Sequence, residues 1–260
     1  MNGVGVLYFI VIVLANTIGA ISGMGGGVII KPVLDFVGIH SVAAVSFYST
    51  VAVFSMSIIS TWRQLKSGVR FNWNIIGWVS TGAVVGGILG NIAFDYLLNS
   101  LESAATVQMI QIILTVITLI FAFLYTRTDN LHFELNNVIW YLLCGLVLGL
   151  LASLLGIGGG PINVSLLMLM FGLPIKDATV YSICIIFFSQ LSKIITISVT
   201  TGFMRYDLSI LYYVILAAIV GGLLGAKVSH ILSPKKVTLV FQAVIVLVLL
   251  INIYNGWQLL

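Results

Sequence analysis

Charged side chains are scarce in this chain of 260 residues. Aspartate, glutamate, lysine and arginine make up 7% of it, whereas hydrophobic residues make up 60%. An ordinary soluble domain carries roughly 25% charge. A soluble fold of this length would expose large apolar patches, which drive association. The composition therefore excludes an ordinary soluble protein and predicts a polytopic membrane protein that has lipid as its solvent.

Basic runs with interleaved aromatic residues are also absent. The net charge of +4 therefore indicates membrane orientation and no nucleic-acid-binding surface. Cys144 and Cys184 lie in apolar stretches without metal-ligand spacing, which argues against a disulfide or a metal site, and no cofactor is expected. The N-terminus lacks a basic region and a clear cleavage site, so its apolar stretch is predicted to be a retained first helix.

Groups of residues suited to catalysis are missing as well. A base for Ser22 or Ser153 would have to be a histidine inside a helix, but His40, His132 and His230 all lie at the ends of apolar segments. No pair of carboxylates is evident. Neither glycine cluster ends in Gly-Lys-Ser/Thr, so a nucleotide-binding loop is also disfavoured. The sequence therefore predicts that the protein is not an enzyme.

The apolar stretches predict the helices. A helix that crosses the ~30 Å hydrocarbon core needs ~20 residues. Eight stretches reach or nearly reach this length: 4–22, 41–62, 73–98, 105–126, 138–155, 176–199, 208–232 and 237–258. Two more, 28–38 and 160–172, follow glycine clusters and would span only ~17 and ~20 Å. These two are predicted to be half-helices.

The chain contains an internal duplication. Gly23-Met24-Gly25-Gly26-Gly27 recurs 133 residues later as Gly156-Ile157-Gly158-Gly159-Gly160. Matches at offsets of 133 to 135 continue through both halves, as small insertions would produce. We therefore predict two transmembrane repeats, 1–126 and 137–260, joined by a polar cytoplasmic linker, 127–136.

The distribution of basic residues predicts how the repeats are oriented. If each half has five segments, eight basic residues fall on one face, which the positive-inside rule places in the cytoplasm. These are Arg63, Lys66, Arg70, Arg127, Lys176, Lys227, Lys235 and Lys236. Arg205 falls on the other face. Counting four segments per half divides the basic residues between the faces. Because five is odd, the two repeats are predicted to be inverted relative to each other.

The glycine clusters are the main candidates for a functional site. Glycine tolerates positive φ, and irregular backbone at membrane depth persists only when it is buried in protein or lines a wet cavity. The start of the following half-helix has unpaired N–H groups and the positive end of a helix dipole, which suits an anion. The candidate substrate-binding glycines are Gly23, Gly25, Gly26, Gly27, Gly156, Gly158, Gly159 and Gly160. The alternative is that the breaks serve close helix packing alone.

Polar side chains cluster on the helix that follows each half-helix. Ser49 and Thr50 lie on the first of these helices, and Ser182, Ser189 and Gln190 lie on the second. These groups can donate hydrogen bonds to an oxyanion, so all five are candidates for substrate binding. Serine and threonine also commonly bond to their own helix backbone, and that alternative stays open.

Two lysines lie inside apolar segments, where charge is costly. Lys193 has no acidic residue within one helical turn. It is predicted either to supply a fixed positive charge for an anion or to snorkel to the interface. Lys31 stands four residues before Asp35, so the two can form an ion pair, with a structural role or a role in ion coupling.

Small residues recur at four-residue spacing in both halves and predict close helix packing in lipid. They are Gly82, Gly86 and Gly90 in the first half, and Ala217, Gly221 and Gly225 in the second.

The pattern Gly23-x-Gly25-Gly26-Gly27-x-Ile29-x-x-Pro32-x-Leu34, with its second copy, resembles the TauE/SafE sulfite exporter family, also called the 4-toluene sulfonate uptake permease family. The resemblance covers nearly the whole chain and implies a multi-pass carrier in the inner cell membrane for anions such as sulfite, sulfoacetate and related organic acids. The second copy departs from the pattern, because Pro161 follows the glycines directly and Ser165 stands where the first copy has Pro32. The resemblance supports an anion permease better than any named sulfonate.

We therefore expect an all-α polytopic membrane protein of two inverted repeats, each with four long transmembrane helices and one half-helix. A small anion would bind between the two glycine turns, and rocking of the repeats would alternate access. Its partners would be that anion and the lipid bilayer, with a homo-oligomer left open. The rival interpretation is a channel-like or structural membrane protein whose glycine breaks serve helix packing.

Overall fold

The computed structural model describes residues 3–66, 72–101, 103–128 and 131–259, and every regular element in these ranges is helical. The ten α-helices are α1 (Gly3–Ser22), α2 (Gly27–Val37), α3 (Val42–Lys66), α4 (Trp73–Ser100), α5 (Ala104–Thr128), α6 (Val138–Leu154), α7 (Pro161–Phe171), α8 (Ile175–Val199), α9 (Leu211–Ile231) and α10 (Pro234–Gln258). A 3₁₀ turn at Leu208–Ile210 precedes α9. The predicted all-α membrane fold is confirmed.

Seven of the described helices are long and apolar enough to cross a bilayer. The eighth predicted crossing is α6, which has 17 residues and is slightly shorter than the ~20 that a full span needs. The two half-helices, α2 and α7, have 11 residues each. Pro161 occupies the first position of α7, where its missing N–H removes no helical hydrogen bond. The second copy of the glycine motif therefore leads into a half-helix as long as the first.

Each half-helix folds back along the helix before it. The hydroxyl of Tyr8, near the start of α1, lies 2.7 Å from Nδ1 of His40, which follows α2. In the same way the ring of Tyr141, near the start of α6, packs on Phe171 at the end of α7, with ring centroids 5.0 Å apart. The glycine breaks are therefore the tips of two helical hairpins.

Two pairs of long helices run in opposite directions, side by side. Contacts along α3 and α8 join the start of one helix to the end of the other: Ser46 with Lys193, Phe54 with Phe187 and Thr61 with Cys184. Contacts along α5 and α10 have the same order: Thr126 with Gln242 and Ile112 with Gly256. In both pairs, the two helices occupy equivalent places in the predicted repeats.

The small-residue stripes pack against helix backbones, as predicted. On α4, a Cβ at Gly82, Gly86 or Gly90 would overlap a carbonyl of α6. On α9, a Cβ at Gly221 or Gly225 would overlap the backbone of α1. Each stripe therefore lets a helix of one half lie close to the first helix of the other half, where packing provides the stability that lipid does not.

Most described basic residues lie at one end of the bundle, which we name the basic end. Arg63 at the end of α3 donates to the carbonyl of Leu223 near the end of α9 at 3.1 Å. The basic residues at this end are Arg63, Lys66, Arg127, Lys176, Lys227, Lys235 and Lys236. Arg70 lies outside the described residues. Arg205 lies at the opposite end, where its guanidinium is 3.4 Å from the carboxylate of Asp95.

Candidate functional site

Both glycine breaks need backbone conformations that favour glycine. In the first break, residues 23–26, Gly23 and Gly25 have φ values of 72° and 75°. In the second break, residues 155–160, Gly156 and Gly158 have φ values of 67° and 68°, and Gly159 has 150°. Positive φ strains any residue with a Cβ, so glycine provides these turns without that cost.

The two breaks contact each other. A Cβ added to Gly27, the first residue of α2, would overlap the carbonyl of Ile157 in the second break. A Cβ added to Gly159 would lie 3.0 Å from the carbonyl oxygen of Met24 in the first break. The two turns therefore come together, as the sequence analysis predicts.

The meeting point lies at the middle of two long helices, α3 and α8. A Cβ at Gly25 would lie 3.3 Å from the side chains of both Val53 and Ile186, and a Cβ at Gly158 would lie 3.1 Å from Val53. Val53 and Ile186 are each the twelfth residue of a 25-residue helix. The breaks therefore meet near mid-membrane, far from either end of the bundle. We name this region the central site.

The half-helices begin at the central site without a side-chain cap from the described residues. Gly26 and Gly160 occupy the N-cap positions, and neither position provides a side-chain hydrogen bond to the helix. The first N–H groups of a helix have no partner in the helix itself and carry the positive end of its dipole. Two such ends approach each other here, which makes the centre of the bundle electropositive.

Lys193 points into the protein and does not snorkel. Its amine donates hydrogen bonds to the hydroxyl of Ser46 and to the carbonyl of Ser153, each at 2.9 Å, and lies 5.6 Å from the centroid of the Phe94 ring. The residue is 1% exposed. Ser46 in turn contacts Gly156, because a Cβ at that glycine would lie 3.0 Å from the Ser46 Cβ. The Lys193 amine is therefore held beside the second break.

Lys31 approaches the second break from the other side. Its amine forms the predicted ion pair with Asp35 at 2.6 Å, and the two side chains are 4% and 5% exposed. The Lys31 Cε would lie 3.3 Å from a Cβ at Gly156. The region beside Gly156 therefore holds two lysines, Lys31 and Lys193, and the carboxylate of Asp35.

Several buried polar atoms near the breaks have no hydrogen-bond partner among the described residues. Buried polar atoms are usually paired, so each such atom calls for an explanation. The atoms are Oδ1 of Asn16 and Asn163, Oγ of Ser49, Ser153 and Ser165, and Oε1 of Gln190. Three of these side chains touch the breaks directly: Asn16 at Gly26, Ser49 at Gly27 and Gln190 at Gly158.

The other predicted hydroxyl residues make backbone hydrogen bonds. Thr50 and Ser189 each donate to a carbonyl of their own helix, at 2.8 and 3.1 Å. Their hydroxyls therefore follow the backbone-bonding alternative. Ser182 donates to the carbonyl of Gly23 at 2.6 Å, which ties α8 to the first break. Ser182 thus holds the shape of the turn.

Three side chains of the central site were not among the predicted binding residues: Asn16, Ser46 and Ser153. Ser46 lies on the same helix as the predicted Ser49 and Thr50 and bonds to Lys193. Ser153 directly precedes the second break, and Asn16 is an amide inside an otherwise apolar helix. Polar groups at such positions are costly in a membrane. That cost is the signal in the sequence that would have identified them.

The end of the bundle opposite the basic end is closed by aromatic residues. The rings of Phe47 and Tyr206 stack with centroids 4.2 Å apart. The Tyr48 hydroxyl donates to the Asp207 carbonyl and accepts from the Asp207 N–H, each at 3.1 Å. Hydrogen bonds from Ser209 hold the pKa of the exposed Asp207 carboxyl below its usual range. We name this set of contacts the aromatic seal.

A helical bundle with many membrane-crossing helices and two interrupted helices that meet at its centre defines a polytopic membrane protein of the transporter class. Residues 8–252 match the sulfite exporter TauE/SafE family, and the chain belongs to that family. The resemblance seen in the sequence, and with it the assignment to a multi-pass membrane transporter family, is confirmed.

Two curated relatives are similar along nearly their whole length. The probable membrane transporter protein MJ0441 of Methanocaldococcus jannaschii is 25% identical over 259 residues, covering 92% of this chain and 91% of the relative. The probable membrane transporter protein YunE of Bacillus subtilis is 25% identical over 268 residues, covering 94% and 95%. No solved structure matches the chain significantly.

Proposed function

We propose that this protein carries a small anion across the membrane and binds it at the central site. The substrate class that fits is a sulfur-containing oxyanion, an organosulfonate or a small carboxylate. The family is described as sulfite exporters, whereas the two relatives are named only as probable membrane transporters. The chemistry of the site therefore has to supply the argument for an anion.

The observation that carries the proposal is the charge beside the second break. Lys193 and Lys31 both reach this region, and Asp35 is paired with Lys31. Within the described residues, Lys193 forms no ion pair, and its amine is held by neutral oxygens. A buried charge without an opposite charge is costly, so an anion that enters this region is stabilised.

Neutral groups would complete the coordination of the anion. The uncapped start of α2 provides N–H donors, whereas α7 provides fewer because its first residue is Pro161; Ser49 lies directly against Gly27. Such donors favour an oxyanion, whose several acceptor atoms can be shared among them. The proposal includes the glycines of both breaks as the backbone part of the binding site.

Two inverted halves that pack against each other would allow alternating access. We propose that residues 1–126 and 137–260 are inverted repeats and that the linker 127–136 is cytoplasmic. The opposite directions of α3 and α8, and of α5 and α10, support this relation, since each pair occupies equivalent places in the halves. Rocking of one half against the other would then expose the central site to each side in turn.

The rival function is a channel-like or structural protein in which the breaks only pack helices. One observation favours it: both breaks are buried, and a Cβ at Gly23, Gly27 or Gly159 would overlap neighbouring atoms. A packing role does not account for the inward-facing amine of Lys193, nor for the unpaired polar atoms beside the glycines. The carrier therefore explains more of the structure.

The decisive experiment is counterflow of radiolabelled sulfite and sulfoacetate in proteoliposomes with the purified full chain. A carrier exchanges labelled for unlabelled anion with saturation, whereas a channel does not. Lys193→Gln should abolish most of the counterflow, and the exposed Lys236→Gln should leave it intact. Unchanged anion flux in Lys193→Gln would contradict the proposed site, and absence of saturable exchange in the wild type would contradict the carrier.

A further inference from the structure

A cavity with polar groups in its lining lies at the basic end of the bundle, away from the central site. It has a volume of about 210 Å³ and lies between the end of α3, the start of α8 and the end of α9. Its polar lining consists of Arg63, Gln64, Lys176, Asp177, Ser229 and His230. We name this cavity the vestibule.

We propose that the vestibule is a separate binding site for a small oxyanion, which it collects at the basic end and passes to the first break. The inference rests on the proposed function, because it assigns the same class of anion to both sites. It adds a second binding site and the side from which the anion approaches. It also names residues that capture the anion but do not belong to the central site.

The charge of the lining favours an anion. Two cationic side chains, Arg63 and Lys176, and the imidazole of His230 line the cavity with the acidic side chain of Asp177. Gln64 is 8% exposed, and its Oε1 has no hydrogen-bond partner among the described residues. A buried amide that lines a cavity without a partner is available to a bound polar molecule or its water.

The vestibule leads to the first break. Ser229, which lines it, donates to the carbonyl of Ile21 at 3.5 Å, just before the break. Val180 also lines it, and the neighbouring Thr179 packs directly on Gly23. Along α8, Val180 is thirteen residues from Lys193, which is ~20 Å along a helix. The vestibule and the charge at the central site are therefore distinct.

The basic lining is not a product of the duplication. The matches between the halves, at offsets of 133 to 135, pair each basic residue of the vestibule with a position near the opposite end. Those positions are Ala43 for Lys176, Ile197 for Arg63 and Asp95 for His230. The opposite end also has the aromatic seal where the basic end has a cavity. The asymmetry indicates a feature specific to one side.

The size of the cavity suits a small ion. At ~30 Å³ per water in the liquid, the vestibule has the volume of about seven waters. A sulfonate group with part of its hydration shell fits such a space.

Charge-selective cysteine labelling tests the proposal without a transport assay. Cys144→Ala and Cys184→Ala remove the two native thiols, and Ala226→Cys places a single thiol in the vestibule. The purified full chain is then modified with a methanethiosulfonate reagent that carries a sulfonate, and with one that carries a trimethylammonium group. After each rate is divided by the rate of the same reagent with a small free thiol, we expect the sulfonate reagent to be favoured about tenfold, at the low end of what an electropositive cleft does to association rates.

Matched variants assign this preference to the lining. Lys176→Gln should remove most of the preference for the sulfonate reagent. Lys227→Gln makes the same change of charge on an exposed neighbour that does not line the cavity, and it should leave the preference unchanged. Sulfoacetate should slow the labelling more than sodium chloride of equal ionic strength does, and Lys176→Gln should abolish that protection.

The outcomes separate the two proposals. Equal rates for the two reagents, each relative to its rate with a free thiol, or an equal effect of Lys227→Gln and Lys176→Gln, would overturn the vestibule as an oxyanion site even if counterflow is intact. Lys193→Gln should abolish counterflow while the labelling preference at Ala226→Cys persists. If the wild type shows no counterflow but the preference and the protection hold, the carrier proposal fails and the vestibule site stands.

Discussion

The amine of Lys193 on α8 donates a hydrogen bond of 2.9 Å to the hydroxyl of Ser46 on α3, a residue 147 positions away in the chain. The bond joins the two long helices that run in opposite directions through the centre of the bundle. Because Ser46 also lies against Gly156, the bond fixes the position of the charge relative to the second break. Ser46 is therefore expected to act through Lys193.

Replacing Ser46 by alanine should weaken anion binding without unfolding the protein. The Lys193 amine would keep only the Ser153 carbonyl as a partner, and its position beside the break would be less well defined. We expect the dissociation constant for sulfoacetate to rise about tenfold, which corresponds to ~1.4 kcal/mol. The measurement is the ligand-dependent rise in unfolding temperature. Ser57→Ala on the same helix removes a hydroxyl that bonds only to its own backbone, so an equal effect there would contradict the prediction.

Replacing Gly27 by alanine should destabilise the protein. The new Cβ would overlap the carbonyl of Ile157, which is backbone and cannot rotate away. Overpacking of this kind costs about 1–3 kcal/mol. Gly77→Ala is the matched control, because a Cβ on that helical glycine meets no atom within 4 Å. Thermal unfolding in detergent compares the two variants. Equal stability would show that the breaks do not press against each other.

The ion pair between Lys31 and Asp35 should be structural. Asp35→Asn alone leaves a buried lysine without its counter-charge, which typically costs about 3–5 kcal/mol. The double variant Lys31→Gln with Asp35→Asn should recover most of that loss, because no isolated charge remains. A double-mutant cycle on the free energy of unfolding measures the coupling. If the double variant is stable and exchanges anion but no longer accumulates it against a gradient, the pair has a role in ion coupling instead.

The helices were predictable because membrane crossing imposes a length and a composition. The short stretches 28–38 and 160–172 appear as α2 and α7, since a glycine cluster before each one ends the preceding helix. The shortness of α6 was less visible, because hydropathy alone does not distinguish its last turn from the break that follows. The direction of each half-helix depends on tertiary contacts such as that of Tyr8 with His40.

The central site was predictable in its backbone but less so in its side chains. Positive φ at glycine is a local property, so both breaks could be read from the sequence. The direction of the Lys193 side chain could not be predicted from the local sequence. The same position in the helix allows the side chain to snorkel to the interface or to point inward, and the two differ only in rotamer. The bond to Ser46 and the approach of Lys31 depend on the packing of α3, α6 and α8. Asn16 shows that an amide in an otherwise apolar helix can indicate a residue of the central site.

Loosening the aromatic seal should expose the central site from the opposite end. Tyr206→Leu removes the ring that stacks on Phe47, a contact worth about 0.5–1.5 kcal/mol beyond its buried area. A thiol at Ser46→Cys in the background without native cysteines should then react faster with a membrane-impermeant maleimide. The exposed Tyr212→Leu is the control. If Tyr206→Leu leaves the labelling rate unchanged, the stack does not limit access.

The inverted arrangement predicts the side of the membrane for each end of the bundle. Met204, which is 93% exposed, lies in the loop after α8, and Lys66 ends α3. Because α3 and α8 run in opposite directions, the end of one lies far from the end of the other. In whole cells without native thiols, an impermeant reagent should label Met204→Cys from outside and Lys66→Cys only after permeabilisation, because the positive-inside rule predicts that the basic end faces the cytoplasm. If Lys66→Cys is labelled from outside and Met204→Cys only after permeabilisation, the basic end faces outward, but the two repeats are still inverted relative to each other. Labelling of both positions from one side would instead show that each half has an even number of crossings, and the inverted repeats would have to be abandoned.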